Sequence, residues 1–161
     1  MSPQQKLFQN APTFSLLDAE NNTHTLAQYA GSYIMLVFYP GDMTPGCTIQ
    51  LCALRDEWSK LKNMDCVIFG VNKATAESHK IFSEKYTIPF PLLVDVSRKT
   101  AKAFGAICEF LGLKLTRRTV VVIGRDGKII FYKHGMPKVS EMIRCIQDVE
   151  SRIEKEVELK T

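Results

Sequence analysis

Two cysteines five positions apart are the residues of this sequence best suited to chemistry. Cys47 and Cys52 lie in the stretch FYPGDMTPGCTIQLC, residues 38–52. A deprotonated thiol is both a nucleophile and a metal ligand, so the pair could serve redox chemistry or bind a metal. A metal site would need two or more further ligands, and the chain has no CxxC or HxxxH pair to supply them. The residues therefore favour redox chemistry.

Cys47 lies where the sequence predicts the start of a helix. Thr44 is a good N-cap residue, and Pro45 fits the first helical position because its missing N–H is not needed there. The Cys47 sulfur would lie near unpaired backbone N–H groups and the positive end of the helix dipole, which favour the thiolate. The Thr44 hydroxyl can accept from the backbone and point its own proton at the sulfur or at a substrate oxygen. Taken alone, the Thr44-Pro45-Gly46 tripeptide also fits a plain helix start beside a small buried cysteine.

The spacing of Cys47 and Cys52 predicts a change of conformation. Five residues of α-helix advance about 7.5 Å and turn about 140°, so the two Cα atoms would lie roughly 8–9 Å apart. A disulfide needs Cα atoms nearer than about 7 Å. We therefore expect the pair to bond only after the first turn of the helix has unwound.

The surrounding elements predict an α/β fold. We expect strands at 34–39, 66–72, 91–95, 119–124 and 128–133, and helices at 44–62, 76–86, a short one ending near 104, and 140–159. The crossovers predict parallel strands and the turn Arg125-Asp126-Gly127 an antiparallel hairpin, so the central sheet should be mixed. The last helix should dock on the sheet through an apolar stripe made of Met142, Ile143, Ile146, Val149, Ile153 and Val157. Cys47 follows the first of these strands, and loops at the carboxyl ends of strands are where such folds place their chemistry.

Length and composition bound the class of protein. The 161 residues, with 45% apolar and 24% charged side chains, fit a single globular domain spanning 1–161. A net charge of +4 without a basic block does not argue for nucleic acid. No apolar run approaches the roughly 18 residues of a membrane span, and the start lacks a signal-peptide pattern. The odd number of cysteines argues against a disulfide framework, and we expect a cytoplasmic protein.

The other reactive side chains have plainer interpretations. Cys108 follows Gly105 in a predicted loop, where it could resolve Cys47 or join two chains. His79 is expected to be structural or on the surface, Tyr39 to pack, and Asp42 to be a loop residue. The remaining cysteines and histidines, Cys66, Cys145, His24 and His134, carry no signal of chemistry.

The same residues resemble a known family. Pro40, Thr44 and Cys47 reproduce the PxxxTxxC signature of peroxiredoxins. The stretch around them is similar to the bacterioferritin-comigratory, or PrxQ, branch, whose members often carry a second cysteine five residues after the first. Residues 11–18, 70–95 and 117–129 extend the likeness along most of the chain. The sequence departs from the common pattern at Asn72-Lys73, Val121 and Gly124, which bears on substrate preference.

The resemblance implies a thioredoxin-like fold, with a central mixed sheet flanked by helices and an N-terminal β-hairpin. It also implies a thiol peroxidase in which Cys47 is the peroxidatic cysteine and Cys52 the resolving one. The resemblance also implies that the Thr44 hydroxyl is the partner of the Cys47 sulfur and that Pro40 shields this sulfur from solvent. The active-site arginine is Arg118, since an apolar strand begins directly after Thr119, with Arg117 as the alternative.

The implied activity is that of an atypical two-cysteine peroxiredoxin. It reduces hydrogen peroxide and organic hydroperoxides through a Cys47 sulfenic acid and an intramolecular Cys47–Cys52 disulfide. Thioredoxin, or glutaredoxin, recycles the disulfide, and no cofactor or metal is required. We expect a monomer or a weak homodimer. The alternative is a thioredoxin-fold binding or chaperone-like module that does not turn over.

Overall fold

The structure is a computed structural model that describes residues 1–161. The strands are β1 (Ser15–Asp18), β2 (Thr23–Thr25), β3 (Tyr33–Phe38), β4 (Cys66–Asn72), β5 (Leu92–Val94), β6 (Ile107–Phe110), β7 (Leu113–Thr116), β8 (Thr119–Ile123) and β9 (Ile129–His134). The helices are α1 (Pro3–Lys6), α2 (Pro45–Asp56), α3 (Trp58–Asn63), α4 (Ala76–Tyr86), α5 (Lys99–Ala103) and α6 (Val139–Lys160). A single 3₁₀ turn lies at Ala27–Tyr29.

Seven of the strands form one mixed sheet in the order β2-β1-β5-β4-β3-β8-β9. β3 pairs in parallel with β4, and β4 with β5. Helices α2 and α3 connect the first pair and α4 connects the second, as parallel pairing requires a crossover. β8 runs antiparallel to both β3 and β9. The predicted fold class, an α/β fold with a central mixed sheet flanked by helices, is confirmed.

The interior strand β3 shows that the sheet is covered on both faces. All six of its residues are at most 1% exposed, as expected for a continuous apolar run. Side chains alternate along a strand, so Met35 and Val37 join one core with α2 and α6, while Leu36 and Phe38 join another on the opposite face. β3 therefore ends in a fully buried environment, from which the chain leads to Cys47.

Two hairpins lie at the edges of the sheet. The β8–β9 turn has Gly127 at a φ of 78°, the left-handed conformation predicted for that position. At the other edge, β1 and β2 form the N-terminal hairpin. His24 Nε2 lies 2.8 Å from Asp18 Oδ2 and Nδ1 lies 2.7 Å from the Tyr29 hydroxyl, so this histidine braces the hairpin.

The single helix predicted over 44–62 is wrong in its second half. The helix stops at Asp56 and a new one begins at Trp58. Glu57 has a φ of −102° and a ψ of 5°, and its N–H bonds to Leu54 O at 3.2 Å, which tightens the last turn of α2. The apolar spacing continues across this break, so periodicity alone did not reveal it.

The loop predicted around Cys108 is also wrong. Residues 107–116 form a two-stranded ribbon, β6 and β7, separate from the main sheet. Leu111 and Gly112 turn the chain with φ values of 49° and 76°. Two positive φ angles are typical of a tight hairpin turn, but leucine is a poor residue for the first of them, so the sequence showed no turn signal there.

The apolar stripe of α6 docks on the sheet only along its first half. Met142, Ile143 and Ile146 are buried, whereas Ile153 and Val157 are 41% and 57% exposed. A helix of 22 residues is about 33 Å long, and its last turns extend past the sheet. None of the helices is both long and apolar enough to cross a membrane.

Candidate active site

Cys47 lies at the start of α2, immediately beyond the carboxyl end of β3. Thr44 is the N-cap, with extended backbone angles of −73° and 146°, and Pro45 is the first helical residue. Cys47 is therefore the third residue of the helix, as predicted, and it is fully buried. The loop between β3 and α2 passes through Met43, which adopts the left-handed conformation with a φ of 64°.

Arg118 brings a positive charge to the sulfur. Its Nη2 atom donates to Cys47 Sγ at 3.3 Å and its Nη1 atom donates to Gln50 Oε1 at 2.8 Å. Thr119, the next residue, pairs with Phe38 in the antiparallel register of β3 and β8. The pairing places Arg118 beside the end of the strand that leads to Cys47. A guanidinium that donates to sulfur stabilises negative charge on it.

Gln50 and Gly46 also contact or make room for the Arg118 guanidinium. The sequence analysis predicted neither role. Gln50 is three residues after Cys47, a spacing that puts two side chains on one face of a helix. This spacing could have predicted that Gln50 lies beside the sulfur. A Cβ atom on Gly46 would lie 3.1 Å from Arg118 Nη2. The glycine therefore leaves the space that the guanidinium occupies.

Arg117 points away from this site. It is exposed, and its N–H donates to Ala106 O at 2.7 Å. Burial lowers the pKa of His134, and the nearby charges of Arg117 and Lys6 lower it further. Neighbouring residues of an extended chain face opposite sides, so of the two arginines only Arg118 contacts Cys47.

Thr44 and Pro40 are placed near the start of the helix with fewer contacts than expected. The Thr44 hydroxyl donates to Gly41 O at 3.3 Å and accepts no backbone hydrogen bond from the helix, so the expected cap bond is wrong. The hydroxyl turns back to the loop carbonyl and leaves the N–H groups of the first turn without a side-chain partner. Pro40 begins the loop and is exposed, whereas Cys47 is buried.

Cys52 lies on the same unbroken helix as Cys47. Both thiols are free, and α2 is continuous from Pro45 to Asp56. The helical spacing holds their Cα atoms roughly 8–9 Å apart. Cys52 is half-buried and packs against the core that contains Cys47, so it faces protein rather than open solvent.

Comparison with known proteins identifies the family. The sequence model of the AhpC/TSA family matches residues 7–132. The chain belongs to the AhpC/TSA family. It is 39% identical to peroxiredoxin Bcp of Bacillus subtilis over 129 residues, covering 76% of this chain and 80% of the relative. The chloroplastic peroxiredoxin Q of Sedum lineare is 33% identical, with 86% and 76% covered. The resemblance to the PrxQ branch of the peroxiredoxins is thereby confirmed.

Other relatives differ in length or share mainly the fold. The chloroplastic peroxiredoxin Q of Triticum aestivum is 35% identical over 86% of this chain, which spans 65% of that relative. Peroxidoxin BcpB of Mycobacterium tuberculosis superimposes with a TM-score of 0.79 at 24% identity, over 91% and 97% of the two chains. Peroxiredoxin Q of Xanthomonas campestris gives 0.77 at 22% identity, over 86% and 90%. These two structures show that the peroxiredoxin fold is shared.

Two of the other thiols of this peroxiredoxin, Cys66 and Cys145, lie in environments that do not activate them. Burial raises the pKa of Cys66 to about 12. Burial also raises the pKa of Cys145, whose Sγ donates to Ile130 O at 3.4 Å. Cys108 is half-buried on β6. The structure gathers no group of three or more His, Cys, Asp or Glu side chains able to hold a metal ion.

A buried polar network adjoins the active-site loop of this peroxiredoxin, and the sequence analysis did not anticipate it. Its centre is Asp42, whose carboxylate accepts from Tyr39 and Asn72 on one oxygen and lies against Ser78 and His79 on the other. Burial raises the pKa of Asp42, but the hydrogen bonds, first that of His79, outweigh it, and the pKa is lowered. Burial and the adjacent Asp42 charge raise the pKa of Tyr39. The carboxylate is therefore ionised and the phenol neutral.

Proposed function

We propose that this chain is a thiol-dependent peroxidase that reduces hydrogen peroxide and organic hydroperoxides at Cys47. The observation that carries the proposal is the 3.3 Å contact between the Arg118 guanidinium and the Cys47 sulfur at the N-terminus of α2. Both features stabilise a thiolate. The family supports the same chemistry, since the matched relatives are named peroxiredoxins.

In the first step, the Cys47 thiolate attacks the nearer peroxide oxygen. An S–O bond forms, the O–O bond breaks, and the leaving oxygen takes a proton to become water or an alcohol. Arg118 and the uncapped N–H groups of the first helical turn can stabilise the charge that shifts to that oxygen. Thr44 and Pro40 are proposed to orient the peroxide and to limit access of water. The sulfur is left as a sulfenic acid.

In the second step, Cys52 resolves the sulfenic acid. Its sulfur attacks Cys47 Sγ, a disulfide forms, and the hydroxyl leaves with a proton as water. Because an intact α2 holds the two residues too far apart for a disulfide, the first turn must unwind. An external dithiol, thioredoxin or glutaredoxin, then reduces the disulfide by exchange. This assignment makes the protein an atypical two-cysteine peroxiredoxin, and we propose that it acts as a monomer or weak homodimer in the cytoplasm.

The test is stopped-flow oxidation of the reduced protein by hydrogen peroxide, tert-butyl hydroperoxide and cumene hydroperoxide, followed by mass mapping of the product. The fluorescence of Trp58, the single tryptophan, is a suitable signal because its side chain packs against the core that contains Cys47. We expect loss of one peroxide per chain and a Cys47–Cys52 disulfide. Absence of peroxide consumption would overturn the proposal and favour a binding or chaperone-like module, which no observation now supports.

A further inference from the structure

The loop before Cys47 is anchored at one point, the carboxylate of Asp42. Its side chain is only 3% exposed. Asp42 Oδ1 accepts from the Tyr39 hydroxyl at 2.7 Å and from Asn72 Nδ2 at 3.0 Å. Asp42 Oδ2 accepts from Ser78 Oγ at 2.7 Å and lies 2.8 Å from His79 Nδ1. These five residues are called the Asp42 network below, and they tie the loop to β4 and α4.

His79 adds a buried carboxylate–imidazole contact to this anchor. Its side chain is 0% exposed, and its Nε2 atom lies 3.0 Å from Leu93 O. A carbonyl oxygen only accepts, so Nε2 carries a proton. The Nδ1 atom faces the carboxylate of Asp42, which also accepts from Tyr39, Asn72 and Ser78. Removal of Asp42 would leave this edge of the buried ring without a polar partner, whereas removal of His79 would leave the carboxylate its other three donors.

The residues between this anchor and Cys47 have much weaker ties. The Thr44 hydroxyl reaches only Gly41 O, within the same loop. Met43 is 40% exposed. The contact of Arg118 with the sulfur itself is the side-chain bond that joins Cys47 to the rest of the protein. Cys47 itself is buried in the core, so the chain is held firmly at Asp42 and at Cys47, and lightly from Met43 to Gly46.

We propose that the Asp42 network is the fixed end from which the first turn of α2 unwinds, with Asp42 and His79 as positioning residues. They set the balance between the folded site, in which Cys47 meets peroxide, and the unwound form, in which Cys52 reaches Cys47. The inference rests on the proposed function for its catalytic consequence. A fixed end limits how many residues gain freedom when the turn unwinds, and this lowers the entropy of the unwound form. Removing the anchor should therefore favour unwinding and weaken the contact between Arg118 and the Cys47 sulfur.

The two chemical steps should respond in opposite directions. In Asp42→Ala and His79→Ala, we expect the second-order rate constant for oxidation of Cys47 to fall about tenfold or more, since small misplacements of a catalytic group have effects of this size. The first-order rate constant for disulfide formation should rise about threefold, because the unwound form is more populated. Both constants are measured by stopped-flow fluorescence in the full-length chain. Asp42→Asn, which retains the shape of the side chain and its hydrogen-bonding capacity, should keep both rate constants close to those of the natural chain.

A second carboxylate–imidazole pair provides the matched control. His24 and Asp18 are also 2.8 Å apart, with side chains 13% and 11% exposed, but they brace the β1–β2 hairpin away from Cys47. His24→Ala should lower thermal stability and leave both rate constants within about twofold, as a purely structural change does. If Asp42→Ala proves too unstable, Ser78→Ala removes a single hydrogen bond of the network. In this variant the oxidation rate constant should also fall and the disulfide-formation rate constant should also rise, each by a smaller factor.

The inference fails if both rate constants in Asp42→Ala or Ser78→Ala move in the same direction, or if neither moves. Hydrogen exchange separates this failure from failure of the proposed function, since it needs no peroxide. Amides of residues 43–49 in the reduced protein should exchange faster in Asp42→Ala than in the natural chain, and at the natural rate in His24→Ala. Unchanged exchange would overturn the anchor even if the enzyme proves to be a peroxidase. Faster exchange without any peroxide consumption would uphold the anchor and overturn the proposed function.

Discussion

The two sides of the candidate site are built on supports of very different rigidity. Cys47 comes from the first turn of a helix whose N-cap side chain makes no cap bond. Arg118 comes from the junction of two paired strands. Its carbonyl accepts from Gly135 N at 2.8 Å, and the next residue, Thr119, pairs with β3 on one side and β9 on the other. We therefore expect the side that carries Cys47 to move and the side that carries Arg118 to stay in place.

This difference fits what the proposed cycle asks of each side. The sulfur must leave its pocket to reach Cys52, because a disulfide cannot span the intact helix. The guanidinium has to be in place again when the helix re-forms, and the start of β8, which is paired with a strand on each side, keeps it there. Substitutions on the movable side should therefore separate the steps of the cycle, whereas substitutions on the fixed side should affect mainly the reaction with peroxide.

The largest effect should come from the movable side, at the nucleophile. Cys47→Ser replaces the thiolate by a hydroxyl, which is not ionised at neutral pH, so peroxide consumption should fall to the background rate. A coupled assay with thioredoxin, thioredoxin reductase and hydrogen peroxide measures this. Residual enzymatic turnover would place the chemistry at another thiol.

Removal of the fixed charge should have the next largest effect. Arg118→Ala deletes the donor to the sulfur and to Gln50, and losses of about 10²-fold are typical when one such group is removed. The second-order rate constant for Cys47 oxidation should fall by this order, and the rate of disulfide formation should not fall with it, because the charge is needed only in the reaction with peroxide. Equal loss in both steps would mean that Arg118 also supports the helix, and the contrast between the two sides would fail.

Cys52→Ser, also on the movable side, should stop the cycle between oxidation of Cys47 and formation of the disulfide. The first turnover with peroxide should be normal, because Cys47 and Arg118 are intact, and the sulfenic acid should persist. Steady-state turnover with thioredoxin should fall about tenfold, since resolution then needs an external thiol. Trapping of the sulfenic acid by dimedone, followed by mass spectrometry, detects the intermediate. Normal steady-state turnover would instead define an enzyme with one essential cysteine.

The smallest effect should come from Arg117→Ala, the matched control for Arg118. Its side chain is exposed on the opposite side of the extended segment, so oxidation of Cys47 should change by less than about twofold, as is usual for surface substitutions. The same stopped-flow measurement applies. A loss comparable with that of Arg118→Ala would show that the two arginines act together.

Local patterns were sufficient to predict much of this site. Buried strands, the Thr44-Pro45 helix start and the position of Cys47 depend on neighbouring residues, and all are where the sequence placed them. The Asp42 network was not predictable in the same way. It brings together a loop, β4 and α4, and their meeting depends on strand order, which no local pattern encodes. The Leu111-Gly112 turn was missed because leucine seldom adopts a positive φ.

Gly46 leaves space for the Arg118 guanidinium, and its missing side chain also affects the strength of the helix. Glycine is about 1 kcal/mol less favourable than alanine within a helix, because it has more backbone freedom to lose. The first turn of α2 therefore combines close approach of the arginine with low helix propensity. An alanine at this position would press on the guanidinium in the reduced enzyme and oppose melting of the turn in the oxidised one. The absence of a side chain at residue 46 thus makes room for Arg118 in the reduced enzyme and eases unwinding of the first turn in the oxidised one.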